Sequence, residues 1–195
     1  FDLIIPEMRK NNVAGHLFEG YWEDIGSVTS YFRASMRLLK DMSLVSDPGW
    51  PLFTRGEDLP AARFSSSARV SGSIIANGCV VEGNVSDSIL FPGVKIGRGA
   101  EVTDSIVYSG SVLAPGVKTC KAVIDKQVRI GSGAEVGMRK KGAGDGWLAG
   151  MGPAGGGVKT GGIAVIGKNV RIGAGVEIPA SAVIAPDRTI SRRPK

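Results

Sequence analysis

The chain has 195 residues, 43% of them hydrophobic, enough for one sizeable core in a single domain or a small domain with an appendage. A single His and two cysteines with no CxxC spacing, Cys79 and Cys120, argue against a zinc site, and no apolar run approaches the ~20 residues of a membrane span. The net charge of +6 gathers at one end: residues 1–137 hold 14 Lys/Arg against 15 Asp/Glu, and residues 138–195 hold 10 against 3.

That basic excess has two readings. One is an anion site for phosphate or a phosphorylated effector; the other is a solvated surface ending in the tail Ser191-Arg192-Arg193-Pro194-Lys195. The charges are not interleaved with aromatics, so nothing here points to nucleic acid. The two cysteines read as small buried apolar residues suited to a reducing, cytoplasmic setting. With no signal peptide visible, no membrane association is expected. Five of the twelve aromatics (Phe1, Phe18, Tyr21, Trp22, Tyr31) fall in the first 31 residues, so the core beyond must be aliphatic.

The chain begins inside an apolar stretch, Phe1-Asp2-Leu3-Ile4-Ile5-Pro6, which reads as a piece of a longer protein. His16 reads as a structural residue on a strand edge. After Gly20-Tyr21-Trp22-Glu23-Asp24-Ile25-Gly26-Ser27 the spacing of Val28, Tyr31, Phe32, Leu38, Leu39 and Met42 predicts an amphipathic helix, capped by Ser27 or Thr29. Asp24, on a turn ahead of that helix, has two readings: a hard carboxylate that helps hold Mg²⁺, or an ordinary turn and dipole partner. Residues 1–45 form this front unit. Residues 46–63, with Trp50-Pro51-Leu52-Phe53 and Leu59-Pro60-Ala61-Ala62, read as an extended linker.

Residues 64–195 are periodic. Ile166, Ile172, Ile178, Ile184 and Ile190 recur every six residues, the first four each followed by Gly, Pro or Ala. Upstream, Arg69-Val70-Ser71-Gly72-Ser73-Ile74-Ile75 aligns with the segments starting at Asn84 and Glu101, and loosely with the one at Lys118. A period of six fits neither a helix nor a two-sided strand. It fits a mainly β fold, a parallel β-helix of hexapeptide repeats that turns a corner every six residues. One aliphatic side chain points inward per face, and three faces make a coil of roughly 18 residues. Gly93, Gly99, Gly110, Gly116, Gly131 and Gly175 are expected at corners needing positive φ. A Gly-rich insertion, residues 138–162, interrupts the repeat and carries Arg139-Lys140-Lys141.

The segment Gly20–Ser27 with Tyr31 and Leu38-Leu39 resembles the end of the catalytic domain of the glucose-1-phosphate adenylyltransferase (ADP-glucose pyrophosphorylase) family. Trp50-Pro51-Leu52, Pro60-Ala61, the Ser-Ile repeats and Ile163–Lys168 continue the likeness into that family's C-terminal β-helix. The resemblance implies a left-handed coil, where general crossover rules would favour a right-handed one. It also implies that the front unit is the tail end of an α/β nucleotidyltransferase domain. The implied full-length protein is an enzyme that makes ADP-glucose and pyrophosphate from ATP and glucose 1-phosphate with Mg²⁺, for glycogen synthesis. Asp24 is then a metal ligand and Trp22 a contact to the sugar phosphate. The β-helix would serve tetramer assembly, homo- or hetero-, and binding of an anionic allosteric effector near the domain junction. Ser27 stands where family members usually have Thr, which keeps the hydroxyl. The family's Gly-rich nucleotide loop and substrate lysines have no counterpart in these 195 residues, so no complete catalytic centre is expected here. Competing readings are another sugar-nucleotide pyrophosphorylase such as one making GDP-mannose, a non-catalytic regulatory subunit, and a hexapeptide acyltransferase. The last would need a His at its coils.

Overall fold

The computed structural model describes residues 4–11, 13–46, 48, 49, 51, 53, 56–138 and 160–191. From Arg63 onward short strands of two to four residues run in three parallel sheets, one of seven strands and two of six, and every recorded pairing joins a strand to its counterpart one coil away. The first face holds Arg63–Phe64, Val80–Val81, Lys95–Ile96, Val112–Leu113, Arg129–Ile130, Arg171–Ile172 and Thr189–Ile190. The second runs from Arg69–Ser71 to Glu177–Pro179, and the third from Ile74–Ile75 to Val183–Ile184. This is the triangular coil expected from the period of six. Hydrogen bonding to the next coil starts at Pro60, whose carbonyl accepts from the Gly78 amide at 2.6 Å.

Each face sends one column of side chains inward. Ile166, Ile172, Ile178 and Ile184 are all buried in one aliphatic stack, and Ile190 packs against its end. The small residue after an inward aliphatic is required because coils nearly touch at that corner. A Cβ at Gly97, Gly131 or Gly167 would lie 2.6 Å from the backbone nitrogen of Pro115, Ala174 or Pro186 on the next coil. Gly93, Gly99, Gly110, Gly116 and Gly175 take positive φ as expected, but Gly131 does not. Its glycine is a matter of room and not of backbone angle.

The corner between the second and third faces uses a different device. Gly72, Asp87, Asp104 and Lys121 turn there with φ of 53°, 46°, 45° and 51°. The next residues, Ser73, Ser88 and Ser105, form a ladder up the coil. Each hydroxyl donates to the carbonyl two residues back and accepts an amide from the coil above; for Ser105 these are Thr103 at 2.7 Å and Ala122 at 3.3 Å. Polar corners are thus satisfied without water. The expected insertion falls at this same corner, between the strands Glu135–Met138 and Ala164–Ile166. Arg139, Lys140 and Lys141 within it lie outside the described residues.

The outward residues give each face its own chemistry. They are charged or polar on the second face (Arg69, Asn84, Glu101, Lys118, Glu135, Glu177) and aliphatic on the third (Ile74, Ile89, Ile106, Val123, Val165, Val183). An aliphatic outer column must be covered. After the short helix α1 (Ile4–Met8), the helix α2 (Val28–Leu38) covers the middle of this column: Phe32 is buried against Ile106 and Ile163, with Val28, Tyr31 and Met36 packed around them beside Val123 and Val165. The Tyr31 hydroxyl shares a hydrogen bond with that of Tyr108, whose ring stacks on Phe91 with centroids 4.4 Å apart. Burial and the Tyr31 contact push the Tyr108 phenol well above its ordinary pKa. The helix face differs from the one expected at its far end. Leu38 and Leu39 lie outside this packed cluster, and Met42 sits beyond the helix in a 3₁₀ turn, 47% exposed.

Candidate functional site

Ahead of α2, residues 13–26 carry no regular secondary structure. His16 therefore lies on no strand edge; it is exposed in this irregular stretch. Ser27, and not Thr29, caps the helix. Its hydroxyl accepts from the Ser30 amide at 3.1 Å while the Ser30 hydroxyl accepts from the Ser27 amide at 3.1 Å, a reciprocal capping box. Thr29 instead faces the coil, where a Cβ at Gly161 would lie 3.0 Å from its hydroxyl.

The turn before the cap presents Trp22 and Asp24. Asp24 Oδ1 accepts from the Gly26 amide at 3.0 Å, which closes the turn and leaves the carboxylate exposed to solvent. Trp22 is 76% exposed. Its neighbour Tyr21 donates to Glu23 Oε2 at 2.6 Å, and the Arg37 guanidinium sits over the Tyr21 ring at 4.7 Å from its centroid. The Glu23 bond favours the protonated phenol and raises the Tyr21 pKa. The turn is thus tied back to the third helical turn of α2.

Between α2 and the coil lies a groove of about 1050 Å³ lined by Trp22, Arg33, Arg37, Lys40, Asp104 and Lys121, among others. Lys121 Nζ donates to the Gly161 carbonyl at 3.1 Å, so the groove floor is the second-to-third-face corner where the insertion rejoins. Four cations, Arg33, Arg37, Lys40 and Lys121, against the two carboxylates of Glu23 and Asp104 leave the groove a net positive charge suited to an anion. Trp22 lines this groove and Asp24 does not, so the two candidate residues share a turn but face different surroundings. Among the described residues no group of three or more His, Cys, Asp or Glu comes together as a metal cage. Asp24 fits Mg²⁺ as one ligand among waters and phosphate oxygens, the usual habit of that ion. From sequence, Arg33, Arg37, Lys40 and Lys121 were not legible as groove residues. The signal was present in the aliphatic doublets Ile74-Ile75, Ile89-Leu90, Ile106-Val107 and Val123-Ile124, which demand a cover on one outer face. The thiols of Cys79 and Cys120 are both pushed up by burial, in keeping with unreactive packing residues.

Residues 60–146 match the family described as GlmU-like, C-terminal hexapeptide. Its described part, residues 60–138, is a hexapeptide-repeat coil of the left-handed kind. Curated relatives are glucose-1-phosphate adenylyltransferases. The chain is 35% identical over 139 residues to that of Acetivibrio thermocellus, covering 69% of this chain and 33% of that protein. It is 39% identical over 139 residues to that of Thermomicrobium roseum, covering 70% and 32%, and 35% identical over 140 residues to that of Bacillus cytotoxicus, covering 71% and 37%. The chain spans about a third of the length of these adenylyltransferases. Among solved structures, the acetyltransferase domain of PglB from Neisseria gonorrhoeae FA1090 superposes with a TM-score of 0.50 at 21% identity, over 84% of this chain and 64% of that one, a likeness of fold alone. No helix among the described residues is long and apolar enough to cross a membrane.

Proposed function

We propose that this chain is the C-terminal part of a cytoplasmic enzyme that joins ATP and glucose 1-phosphate into ADP-glucose and pyrophosphate, feeding glycogen synthesis. The observation that carries the reading is the continuous likeness to glucose-1-phosphate adenylyltransferases over about 70% of the chain. In such a reaction a sugar phosphate attacks the α-phosphorus of a nucleotide, and the protein contributes chiefly positioning and neutralisation of charge. Mg²⁺, when bound, supplies a Lewis acid that polarises phosphoryl oxygens. On this chain Asp24 offers it an exposed carboxylate already oriented by the Gly26 amide. Trp22 offers an apolar face to the sugar ring. The cations Arg33, Arg37, Lys40 and Lys121 are placed to receive an anionic effector, and the coil to build a tetramer. The acyltransferase reading loses support, since the chain's one His is exposed ahead of α2 and away from the repeats.

The test uses the full-length protein. Asp24→Ala should raise the Mg²⁺ concentration needed for half-maximal ADP-glucose formation by about tenfold, the scale of losing one element of a metal site. Trp22→Ala should raise KM for glucose 1-phosphate and leave KM for ATP alone. An unchanged Mg²⁺ dependence removes Asp24 from the metal site, and absence of ADP-glucose formation by the unsubstituted protein removes the reaction.

A further inference from the structure

The middle of the third face is covered by α2 and the second face carries both signs of charge, with Lys118 and Glu101 paired at 3.9 Å. The first face is different. Its outward column reads Arg63, Val80, Lys95, Val112, Arg129, Arg171 and Thr189, rung by rung. Rungs stack ~4.8 Å apart, so Arg129 and Arg171 are like charges in direct register. Such a pair lowers the stability of a sheet unless something lies between or across it. No carboxylate stands in the column, and none of its four cations makes a side-chain hydrogen bond or ion pair with a described residue. The coil keeps an arrangement that costs stability and that nothing within the described chain relieves.

We propose that the first face is a docking surface for a separate protein whose surface sets carboxylates among aliphatic side chains. The column itself selects that chemistry. Val80 and Val112 alternate with the cations and are half-buried, and the arginine stems extend the apolar strip. Guanidinium forks match carboxylates in a bidentate fashion, and Arg is enriched where proteins meet. The column holds no aromatic on which an unpaired base could stack, which sets it apart from a nucleic-acid groove. The second face of another copy matches only in part: Glu135 and Glu177 stand in register there, but Arg69 and Lys118 of the same column would oppose the first-face cations, and sedimentation separates that occupant from a different protein.

The experiment uses the full-length protein and three labelled probes: a glutamate–leucine copolymer, poly-L-glutamate of equal charge and an oligothymidylate of equal charge. Fluorescence anisotropy should rank the copolymer tightest, with affinity falling as salt rises. Arg129→Glu and Arg171→Glu should each weaken copolymer binding by about tenfold, and Lys118→Glu on the second face should change it less than about twofold. Thermal melting separates a lost surface from a lost fold. Arg171→Glu should melt at or above the unsubstituted chain, because the introduced carboxylate faces Arg129. The proposal is overturned if the copolymer does not bind, or if both arginine variants keep its affinity. It is equally overturned if oligothymidylate binds more tightly through the same arginines, or if sedimentation shows self-association that Arg171→Glu abolishes.

Discussion

Replacing Gly137 by Ala is expected to destabilise the coil by about 3 kcal/mol, whereas Gly133→Ala should cost only about 1 kcal/mol. Both glycines are left-handed, with φ of 77° and 65°, so both substitutions carry the same conformational cost. They differ in room. A Cβ at Gly137 would lie 2.0 Å from the Cys120 carbonyl oxygen, while a Cβ at Gly133 meets no described residue within 4 Å. That oxygen belongs to the neighbouring coil and cannot swing away like a side-chain end, so the coils must part. For a chain of this size the two variants should melt about 6–12 °C and about 2–4 °C below the parent. Gly137 also lies on the last strand before the insertion, so the loosened joint separates the strands from Ala164 onward from the rest of the stack. In a repeat fold, coupling between neighbours carries much of the stability, so amide exchange in Gly137→Ala should accelerate first in residues 164–190. Equal melting of the two variants would mean that the close approach to Cys120 does not exist.

The coil was readable because its cause is one-dimensional. Ile166, Ile172, Ile178 and Ile184 point inward at a spacing that only a three-cornered turn produces, and a coil that repeats shows its rule several times in one sequence. Gly131 shows where such reading stops. A glycine required for φ and one required for space look identical in sequence, and only the position of Ala174 on the next coil separates them. The groove was less legible for the same reason. Arg33 and Lys40 lie far along the chain from Lys121, and what joins them is the packing of Phe32 on Ile106 and Ile163, a contact with no sequence period of its own. Asp24 and Trp22 stood out by motif, yet their separation, one lining the groove and the other facing solvent, is set by how the turn closes on the Gly26 amide.

The three faces give one further lesson about how a solenoid distributes work. Inward columns are nearly interchangeable, since any aliphatic of suitable size fills the stack. Outward columns are free of that demand, and they differ in chemistry. The aliphatic one packs against α2, and the basic one on the first face holds Arg129 against Arg171 without relief from a described residue. Inward substitutions should therefore register chiefly in melting, whereas the outward columns answer to what each one packs against.

Two buried hydroxyls on neighbouring columns should respond with opposite signs when removed. Ser105 is fully buried; its hydroxyl donates to the Thr103 carbonyl and accepts the Ala122 amide of the coil above. Ser105→Ala creates no clash, since Ala122 and Ala164 already occupy the equivalent corner on later coils. It leaves the Ala122 N–H buried without that partner, and the expected loss is about 2 kcal/mol. Thr119 sits in the inward column between Val102 and Val136, 2% exposed, with no partner for its hydroxyl among the described residues. Thr119→Val keeps the shape and removes the unsatisfied oxygen, so the expected gain is about 1–2 kcal/mol. Urea melts of the two variants decide the matter. A neutral Ser105→Ala would mean that the serine ladder adds nothing to the corner, and a destabilised Thr119→Val would mean that the Thr119 hydroxyl has a hydrogen-bond partner, such as an internal water, inside the stack. Opposite shifts would locate the coil's polar stability at its corners and its apolar stability along its faces.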